Sequence, residues 1–264
     1  MDQLKGKAAV VTGATGSIGR GIAIRFAREG AKVALIDSDA AKGADLARQI
    51  EAAGGTAKFI QADVTVEKDA RRAIDEAVKA HGRIDVLANS NWAQAPWKPL
   101  SEKDAADFTS AINRNLFGAL HSMRAAYPHM KQQGSGRIIN VGSPYGATTF
   151  NNVTDAITAD WALQGLTRAT AVEWAISNIL INFLSPALVD IPEFQAFRAT
   201  DPAYIDRVLA QTALKRLGDP VEDIGGAAMF LASDEACFVT GHPVYADGGQ
   251  FISSAVFAPG VKFL

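Results

Sequence analysis

A glycine-rich turn near the start of the chain has the composition of a phosphate-binding loop. Residues 12–19 read TGATGSIG, directly after an apolar run and directly before a helical pattern. Glycine lets a backbone turn tightly and approach a ligand closely, and the following helix N-terminus offers free N–H groups and the positive end of its dipole. A strand, turn and helix of this kind accommodate a pyrophosphate, with a plain tight turn as the alternative.

A carboxylate at the end of the next apolar run indicates which dinucleotide would bind. Asp37 follows the KVALI segment, 18 residues beyond Gly19. At this place a carboxylate accepts hydrogen bonds from both ribose hydroxyls of an adenosine. It would repel a 2′-phosphate, and the next residues, Ser38 and Asp39, supply no cation. We therefore predict NAD rather than NADP as the cofactor, with a solvated Asp at a strand end as the alternative.

Short apolar segments alternate with helical patterns along the chain. Strands are predicted at residues 8–12, 32–36, 57–61, 85–88, 137–141, 179–184 and 243–246, and helices at 17–29, 40–53, 67–81, 102–132, 155–174 and 220–232. Short apolar strands separated by helices are typical of parallel strands buried on both faces. Right-handed crossovers then give an α/β fold, a doubly wound parallel sheet (Rossmann fold) of about seven strands with helices on both faces.

No repeat, low-complexity tract or linker interrupts this alternation, so a single domain over residues 1–264 is expected. The longest departure from the alternation is the segment 186–216. Ligands of such sheets lie beyond the carboxyl ends of the strands, where long loops commonly cover them. We therefore expect this segment to be a substrate-covering loop.

Composition excludes several classes of partner. The formal charge is −2 and the chain has no basic run, so neither nucleic acid nor an anionic membrane is an expected partner. The N-terminal residues are charged, no apolar run approaches the ~20 residues of a membrane helix, and a cytoplasmic location is expected. The four histidines lack metal-ligand spacing, so no metal site is expected. The single cysteine, Cys237, is expected to be a small buried residue.

Several further motifs lie at regular places relative to the predicted strands. They are Asp63-Val64 after strand three, Asn89 in NSNW after strand four, Asn115 in RNLFG, Pro186-Ala187 after strand six, and the DGG of residues 247–249. Together with the glycine turn, they make residues 5–250 resemble the short-chain dehydrogenase/reductase family. The family's usual turn is TGxxxGxG, whereas here the middle glycine comes one place early. The resemblance implies cofactor contacts at Gly13, Thr15, Ser17, Ile18, Asp37, Asp63, Val64, Asn89, Asp160, Pro186 and Val189.

The catalytic element of that family is only partly present. The family places a Ser just after strand five, a Tyr 13 residues later and a Lys four residues beyond. Ser143 matches the Ser, but the Tyr position holds Ala156 and the Lys position holds Asp160. The downstream segment LQGLTR, residues 163–168, resembles the family sequence after the Lys and gives the same alignment. Residues 146–178 contain neither Tyr nor Lys, so no gap restores the pair.

These departures change the expected chemistry. In the family the Tyr hydroxyl exchanges a proton with the substrate while the cofactor exchanges a hydride, and the Lys lowers the Tyr pKa. Ala156 cannot do this, and its missing ring is expected to leave a space beside the nicotinamide. Asp160 lies one helical turn further on the same face, so its carboxylate is expected to point at the cofactor.

Four residues are candidates for the catalytic roles: Ser143, Asn115, Tyr145 and Asp160. Ser143 and Asn115 could orient a substrate oxygen, Tyr145 could donate a proton, and Asp160 could act as a base if desolvated. The alternatives are a pocket-lining role for Tyr145 and a structural contact for Asp160. Asp155 is a further candidate base, with a helix N-cap as the preferred interpretation.

Three functions remain open at this point. One is an NAD-linked oxidoreductase acting on a small hydroxy or carbonyl compound through a non-standard acid/base. Another is a non-redox lyase, isomerase or dehalogenase that uses the same pocket and retains tightly bound NAD. The third is a non-catalytic NAD-binding partner subunit. The resemblance also implies a homotetramer or homodimer.

Overall fold

One parallel sheet organises the computed structural model, which describes residues 2–92, 97–143, 151–192, 195, 201–210 and 212–252. Its strand order is β3-β2-β1-β4-β5-β6-β7, and neighbouring strands are parallel throughout. The order reverses between β1 and β4, the switch point at which ligands bind in doubly wound sheets. The strands are β1 (Ala8–Thr12), β2 (Lys32–Asp37), β3 (Thr56–Gln61), β4 (Val86–Asn89), β5 (Gly136–Val141), β6 (Ile179–Pro186) and β7 (Pro243–Ala246).

Helices connect successive strands and cover both faces of the sheet. They are α1 (Ser17–Arg28), α2 (Ala40–Ala52), α3 (Glu67–His81), α4 (Ala105–Ile112), α5 (Gly118–Gln133), α6 (Thr154–Trp174), α7 (Pro202–Ala210) and α8 (Gly225–Ala232). Two π-helical segments, Asn113–Phe117 and Pro220–Ile224, lead into α5 and α8. Within the described ranges, no helix is long and apolar enough to cross a membrane.

The strands contribute residues to a core on each side of the sheet. In β1, Ala9 and Val11 are fully buried in one core with α1, α2 and α8, whereas Val10 is buried in the other with α3, α5 and α6. Successive side chains of a strand point to opposite faces, so burial of both sets requires helices on both faces. The predicted Rossmann-type α/β fold is therefore confirmed.

Local sequence determines where several helices end. Gly82 and Gly134 follow α3 and α5 with φ of 81° and 68°, a left-handed conformation in which a Cβ would be strained. Asp39 caps α2 by accepting a hydrogen bond from the backbone N–H of Lys42 at 3.0 Å. These positions agree with the predicted boundaries.

The helix predicted over residues 102–132 is divided in the structure. It begins as α4 at Ala105 because the Asp104 carboxylate caps it, accepting from the N–H groups of Ala106 and Asp107 at 2.9 and 3.0 Å. The π-helical segment Asn113–Phe117 then separates α4 from α5. Such widened turns are frequent at functional sites, and this one carries Asn115.

Two residue-level expectations were wrong. Asp155 is not the N-cap of α6, since Val153 occupies that position and Asp155 lies fully buried in the first turn. Cys237 is exposed rather than buried, because it follows the short 3-10 helix Asp234–Ala236 at the surface.

Candidate functional site

The glycine turn joins β1 to α1 and lies against the segment after β4. Gly13 has φ of 62°, and a Cβ added there would stand 2.2 Å from the Ser90 carbonyl oxygen. Only glycine therefore fits this close approach. No side chain among the described residues caps α1, so its N-terminus retains the polarity that favours an anion.

A crevice of about 920 Å³ opens at the carboxyl ends of β1 to β4. Its lining includes Gly13, Thr15, Asp37, Asp63 and Val64, which are five of the predicted cofactor-binding residues. The volume and the backbone cradle at Gly13 fit a dinucleotide.

The Asp37 carboxylate is held at the edge of this crevice by backbone donors. Its Oδ2 accepts from the N–H of Thr15 at 3.0 Å, and its Oδ1 accepts from the N–H of Asp39 at 3.1 Å. Each carboxylate oxygen has a second lone pair for a ligand hydroxyl. The glycine turn thus fixes the group that would discriminate between ribose and a 2′-phosphate.

The far wall of the crevice includes Asn91 and Trp92 of the NSNW segment after β4. Its other residues, around the π-helical segment, were not singled out by the sequence analysis: Thr109, Ser110, Asn113 and Arg114. The Nη2 of Arg114 donates to Ser110 Oγ at 3.1 Å, and its buried Nε has no partner among the described residues. Sequence offered no signal for this part of the wall, because it depends on how α4 crosses the sheet.

Ser143 and Asp160 meet at the end of β5. Asp160 Oδ2 accepts from the backbone N–H of Ser143 at 3.0 Å and also from the Ser143 hydroxyl in a short hydrogen bond. The side chain of Asp160 is fully buried. Its carboxylate therefore faces Ser143, whereas the sequence suggested that it would point at the cofactor.

Burial raises the pKa of the Asp160 carboxyl to about 7, even though the two hydrogen bonds from Ser143 lower it. Asp160 Oδ1 has no hydrogen-bond partner among the described residues. An ionisable group with one unpaired buried oxygen and a pKa close to neutrality is suited to proton transfer.

The backbone of Ser143 is fixed from the neighbouring strand. Ser185 in β6 donates its hydroxyl to the Ser143 carbonyl oxygen at 2.9 Å, and the Gly142 N–H donates to the Leu184 oxygen at 2.9 Å. These contacts, together with the Asp160 carboxylate, hold the Ser143 hydroxyl at the carboxyl edge of the sheet.

Ala156, which the family resemblance aligns with the family's Tyr, is fully buried. It packs with Val153, and Trp92 and Ile157 pack against the two. An open space was expected here because the ring is missing, but apolar neighbours cover the position. Ala156 itself carries no group that can exchange a proton.

Asn115 lies on the π-helical segment and is 4% exposed. Neither its Nδ2 nor its Oδ1 has a hydrogen-bond partner among the described residues. Buried amides are normally satisfied, so this pair of unused atoms indicates a missing polar ligand or water. The π-helical segment packs against α6, the helix that carries Asp160.

A buried ion pair beside Ala156 was missed by sequence reasoning. Lys103 Nζ lies 2.7 Å from Asp155 Oδ1, and both side chains are fully buried. The pair connects the start of α4 with the first turn of α6. Residues this far apart in sequence gave no signal of their contact.

Asn89 contributes to a buried hydrogen-bond chain rather than to the lining of the crevice. Its Nδ2 donates to Asn140 at 2.9 Å and its Oδ1 accepts from Thr12 at 3.3 Å, while Asn140 donates to Thr167 at 2.9 Å. This chain joins β1, β4 and β5 to α6 beneath the site.

The remaining predicted residues lie outside the crevice lining or outside the described residues. Ser17 and Ile18 open α1, and Pro186 ends β6. The Val189 side chain is 5% exposed and packs in the core beneath α1. Tyr145 falls in residues 144–150, which are not among the described residues.

Known proteins resemble this chain over most of its length. Residues 13–250 match the family model described as Enoyl-(Acyl carrier protein) reductase. The L-fucose dehydrogenase of Oryctolagus cuniculus is 34% identical over 253 residues, covering 94% of this chain and 86% of that protein.

Two solved structures share the fold. A gluconate 5-dehydrogenase from Burkholderia cenocepacia J2315, in complex with NADP and tartrate, has a TM-score of 0.88 at 29% identity and covers 96% of this chain and 99% of its own. A 7α-hydroxysteroid dehydrogenase, complexed with NADH and 7-oxo glycochenodeoxycholic acid, has a TM-score of 0.87 at 31% identity, with coverage of 94% and 96%. The likeness thus extends from the glycine turn to the last strand of the sheet.

Proposed function

The chain belongs to the short-chain dehydrogenase/reductase family, and we propose that it is an NAD-linked oxidoreductase of a small hydroxy or carbonyl compound. In this proposal Ser143 and Asp160 together act as the acid/base that exchanges a proton with the substrate. The observation that carries this proposal is the short hydrogen bond between the Ser143 hydroxyl and the buried Asp160 carboxylate. This contact supports a role for Asp160 as proton acceptor at the end of β5, in place of the Tyr and Lys that the family resemblance aligns with Ala156 and Asp160.

The proposed cofactor is NAD. The glycine turn would hold the pyrophosphate, with Gly13, Thr15, Ser17 and Ile18 contributing backbone and side-chain donors. Asp37 would accept the ribose hydroxyls and disfavour NADP, although one structural relative contains NADP and another contains NADH. Asp63, Val64 and Pro186 complete the cofactor-binding residues that we propose. Asn89 supports the site from beneath through its buried hydrogen bonds, and the Val189 side chain packs in the core, so neither side chain is proposed to contact the cofactor.

When bound, the nicotinamide accepts the hydride that leaves the substrate carbon. The protein's part is to move the hydroxyl proton. Asp160 is fully buried and Ser143 is 2% exposed, so the proposal requires the substrate hydroxyl to come within hydrogen-bond distance of Ser143 Oγ. The substrate hydroxyl then gives its proton to Ser143 Oγ as Ser143 gives its own proton to the Asp160 carboxylate, and the substrate becomes a carbonyl compound. In the reductive direction both transfers run in reverse, from a protonated Asp160.

Two further groups would orient the substrate. The unpaired amide of Asn115 offers a donor and an acceptor from the π-helical segment. Tyr145 is proposed as a proton donor or as an aromatic wall near Ser143. Asp160 would thus assist the cofactor site through Ser143 rather than by contact with the ribose.

We also propose one domain over residues 1–264, with the segment 186–216 covering the substrate, and assembly as a homodimer or homotetramer. Three exposed apolar side chains on and after α6 support assembly: Trp161, Val172 and Ile176 are 52%, 82% and 93% exposed. A row of large apolar residues of this kind commonly marks a protein interface.

Absorbance at 340 nm tests the proposal with purified protein, NAD⁺ and a panel of alcohols. L-Fucose, gluconate and a 7α-hydroxysteroid are suitable probes because relatives act on compounds so named. We expect net NADH formation with at least one secondary alcohol, lost in Ser143→Ala and Asp160→Asn. Thr158→Ala is the matched control, since Thr158 is exposed on the same helix and bonds only within it.

Two outcomes would overturn the proposal in favour of the other functions. Product formed without net NADH would indicate a non-redox enzyme with retained NAD. NAD⁺ binding without conversion of any substrate, in wild type as in the variants, would indicate a non-catalytic subunit.

A further inference from the structure

A second cavity, of about 300 Å³, lies at the opposite edge of the sheet from the crevice. It forms where the segments that lead into β1, β4 and β5 meet, because these three strands are neighbours. Since β1 has five residues, roughly 16 Å of sheet separates the cavity from the glycine turn. A ligand here would be independent of the cofactor.

Cations outnumber carboxylates in the lining of this cavity. Four basic side chains and two carboxylates contribute to it: Lys5, Lys7, Arg83, Arg137, Asp85 and Asp234. Asp85 is fully engaged, because it accepts from Arg83 at 2.8 and 2.6 Å and from the Ala8 N–H at 2.8 Å. Lys5 Nζ lies 3.6 Å from Asp2 Oδ2, and both of these side chains are exposed.

The remaining carboxylate, Asp234, is largely exposed and is shared by two cations. Asp234 Oδ1 accepts from Lys7 Nζ at 2.7 Å, whereas Arg137 Nη2 stands 3.7 Å away from the same atom. At that separation the Arg137 contact is an electrostatic attraction without a hydrogen bond. The positive charge of Arg137 is thus only partly compensated.

Arg137 keeps unmet hydrogen-bonding capacity among the described residues of the cavity. Its side chain is 11% exposed, and its recorded hydrogen bond is Nη1 to the Gly136 carbonyl oxygen at 3.1 Å. Its buried Nε has no partner among the described residues. A guanidinium carries five N–H donors, and buried donors are normally satisfied. An acceptor with several oxygens is therefore missing here.

We propose that this cavity binds a phosphate group, either inorganic phosphate or the phosphoryl group of a small metabolite. Arg137 supplies the planar donor set and Lys7 the second cation, a combination that matches a dianion with several acceptor oxygens. Lys5 lies at the exposed rim and adds attraction. The volume accommodates a phosphate with part of an attached molecule.

Thermal unfolding and calorimetry with inorganic phosphate and with glycerol 3-phosphate test this proposal. Saturating NAD⁺ keeps the glycine turn occupied, and sodium chloride at equal ionic strength corrects for screening. We expect phosphate to raise the Tm, as any ligand of the folded state does. Tighter binding of the monoester would identify a phosphorylated metabolite, and equal binding would identify free phosphate.

Substitutions of cavity residues test whether phosphate binds in this cavity. Arg137→Met should weaken phosphate binding roughly tenfold or more, as expected for loss of a charge-assisted contact. Lys7→Met should also weaken it and leaves the Arg137 side chain in place should the first variant fold poorly. Arg48→Met is the matched control, because Arg48 is exposed on α2 and pairs with Asp45 outside the cavity.

The proposal is wrong if phosphate stabilises no more than chloride does, which would indicate that water satisfies Arg137. It is equally wrong if NAD⁺ abolishes the phosphate effect while Arg137→Met and Lys7→Met retain it, because the phosphate would then bind at the glycine turn. Neither result depends on catalytic activity, so this test is separate from that of the proposed function.

Discussion

The Asp160 carboxylate receives both the backbone N–H and the hydroxyl of Ser143 on a single oxygen, Oδ2. Its other oxygen, Oδ1, is buried without a partner among the described residues. This arrangement couples the ionisation of Asp160 directly to the hydroxyl group of Ser143.

Asp160 should titrate near pH 7, because burial raises its pKa to about 7. Infrared difference spectra of wild type minus Asp160→Asn, recorded across pH, isolate the C=O band of the protonated acid. We expect this band to disappear near pH 7. Ser143→Ala should move the transition to higher pH, since the Ser143 hydrogen bonds lower the pKa. An Asp160 that is fully ionised at pH 5 would contradict this assignment.

Asp160→Asn should stabilise the protein, and the gain should be larger at pH 8 than at pH 5. Asp160 has a pKa of about 7 in the folded protein against an ordinary pKa of 3.8, so the folded protein holds a proton that the unfolded chain releases between these values. Stability therefore falls as pH rises through that window, and Asn removes this loss. We expect a gain of about 1–4 kcal/mol in unfolding free energy at pH 8.

Urea unfolding of wild type and Asp160→Asn at both pH values measures this gain. Thr158 lies on the exposed side of the same helix, so the effect of Thr158→Ala on the unfolding free energy should be the same at both pH values. An equal effect of Asp160→Asn at pH 5 and pH 8 would mean that the carboxyl does not change its ionisation between them.

Asp37→Asn should reduce the preference for NAD over NADP. Asn retains an acceptor for the Thr15 N–H but removes the charge that repels a 2′-phosphate. We expect NADP⁺ binding to improve roughly tenfold, a change of the size expected for one partly solvated charge pair. Calorimetry with NAD⁺ and NADP⁺ measures the ratio, and Asp45→Asn on the exposed face of α2 serves as the control. An unchanged ratio would remove Asp37 from the specificity determinants.

Sequence was sufficient to predict the sheet and to place the glycine turn and Asp37 together at its carboxyl edge. The turn at residues 12–19 and Asp37 belong to contiguous strand-turn-helix segments, whose local patterns carry the geometry. The part of the far wall around the π-helical segment could not be predicted, since Arg114 reaches it only through the π-helical turn that widens the helix.

The direction of the Asp160 side chain was also beyond sequence reasoning. Alignment places it where the family has Lys, and a Lys stem is long enough to reach a ribose. An Asp carboxylate is attached directly to Cβ, so it contacts the nearest donors, which are those of Ser143 at the end of β5. The Lys103–Asp155 ion pair could not be predicted from sequence for a related reason, because the contact exists only once α4 and α6 have packed.

Lys103→Met should destabilise the protein strongly. The substitution leaves the Asp155 carboxylate fully buried without its cation, at an expected cost of about 3–5 kcal/mol in unfolding free energy. The double variant Lys103→Met with Asp155→Leu should recover most of this loss, because both charges are then absent. Denaturant unfolding of the single and double variants measures the difference. Equal destabilisation in both would show that packing, rather than charge, makes this site important.

The central claim is that Ser143 and Asp160 move the substrate proton, and the pH dependence of hydride transfer tests it most directly. Rapid mixing of enzyme, saturating NAD⁺ and a secondary alcohol reports NADH formation at 340 nm. The account predicts that the rate rises about tenfold per pH unit below about pH 7 and then levels, as Asp160 ionises. Asp160→Asn should be slower by roughly 10²–10⁴-fold and lack this dependence. A variant as fast as wild type, with the same pH profile, would contradict the account.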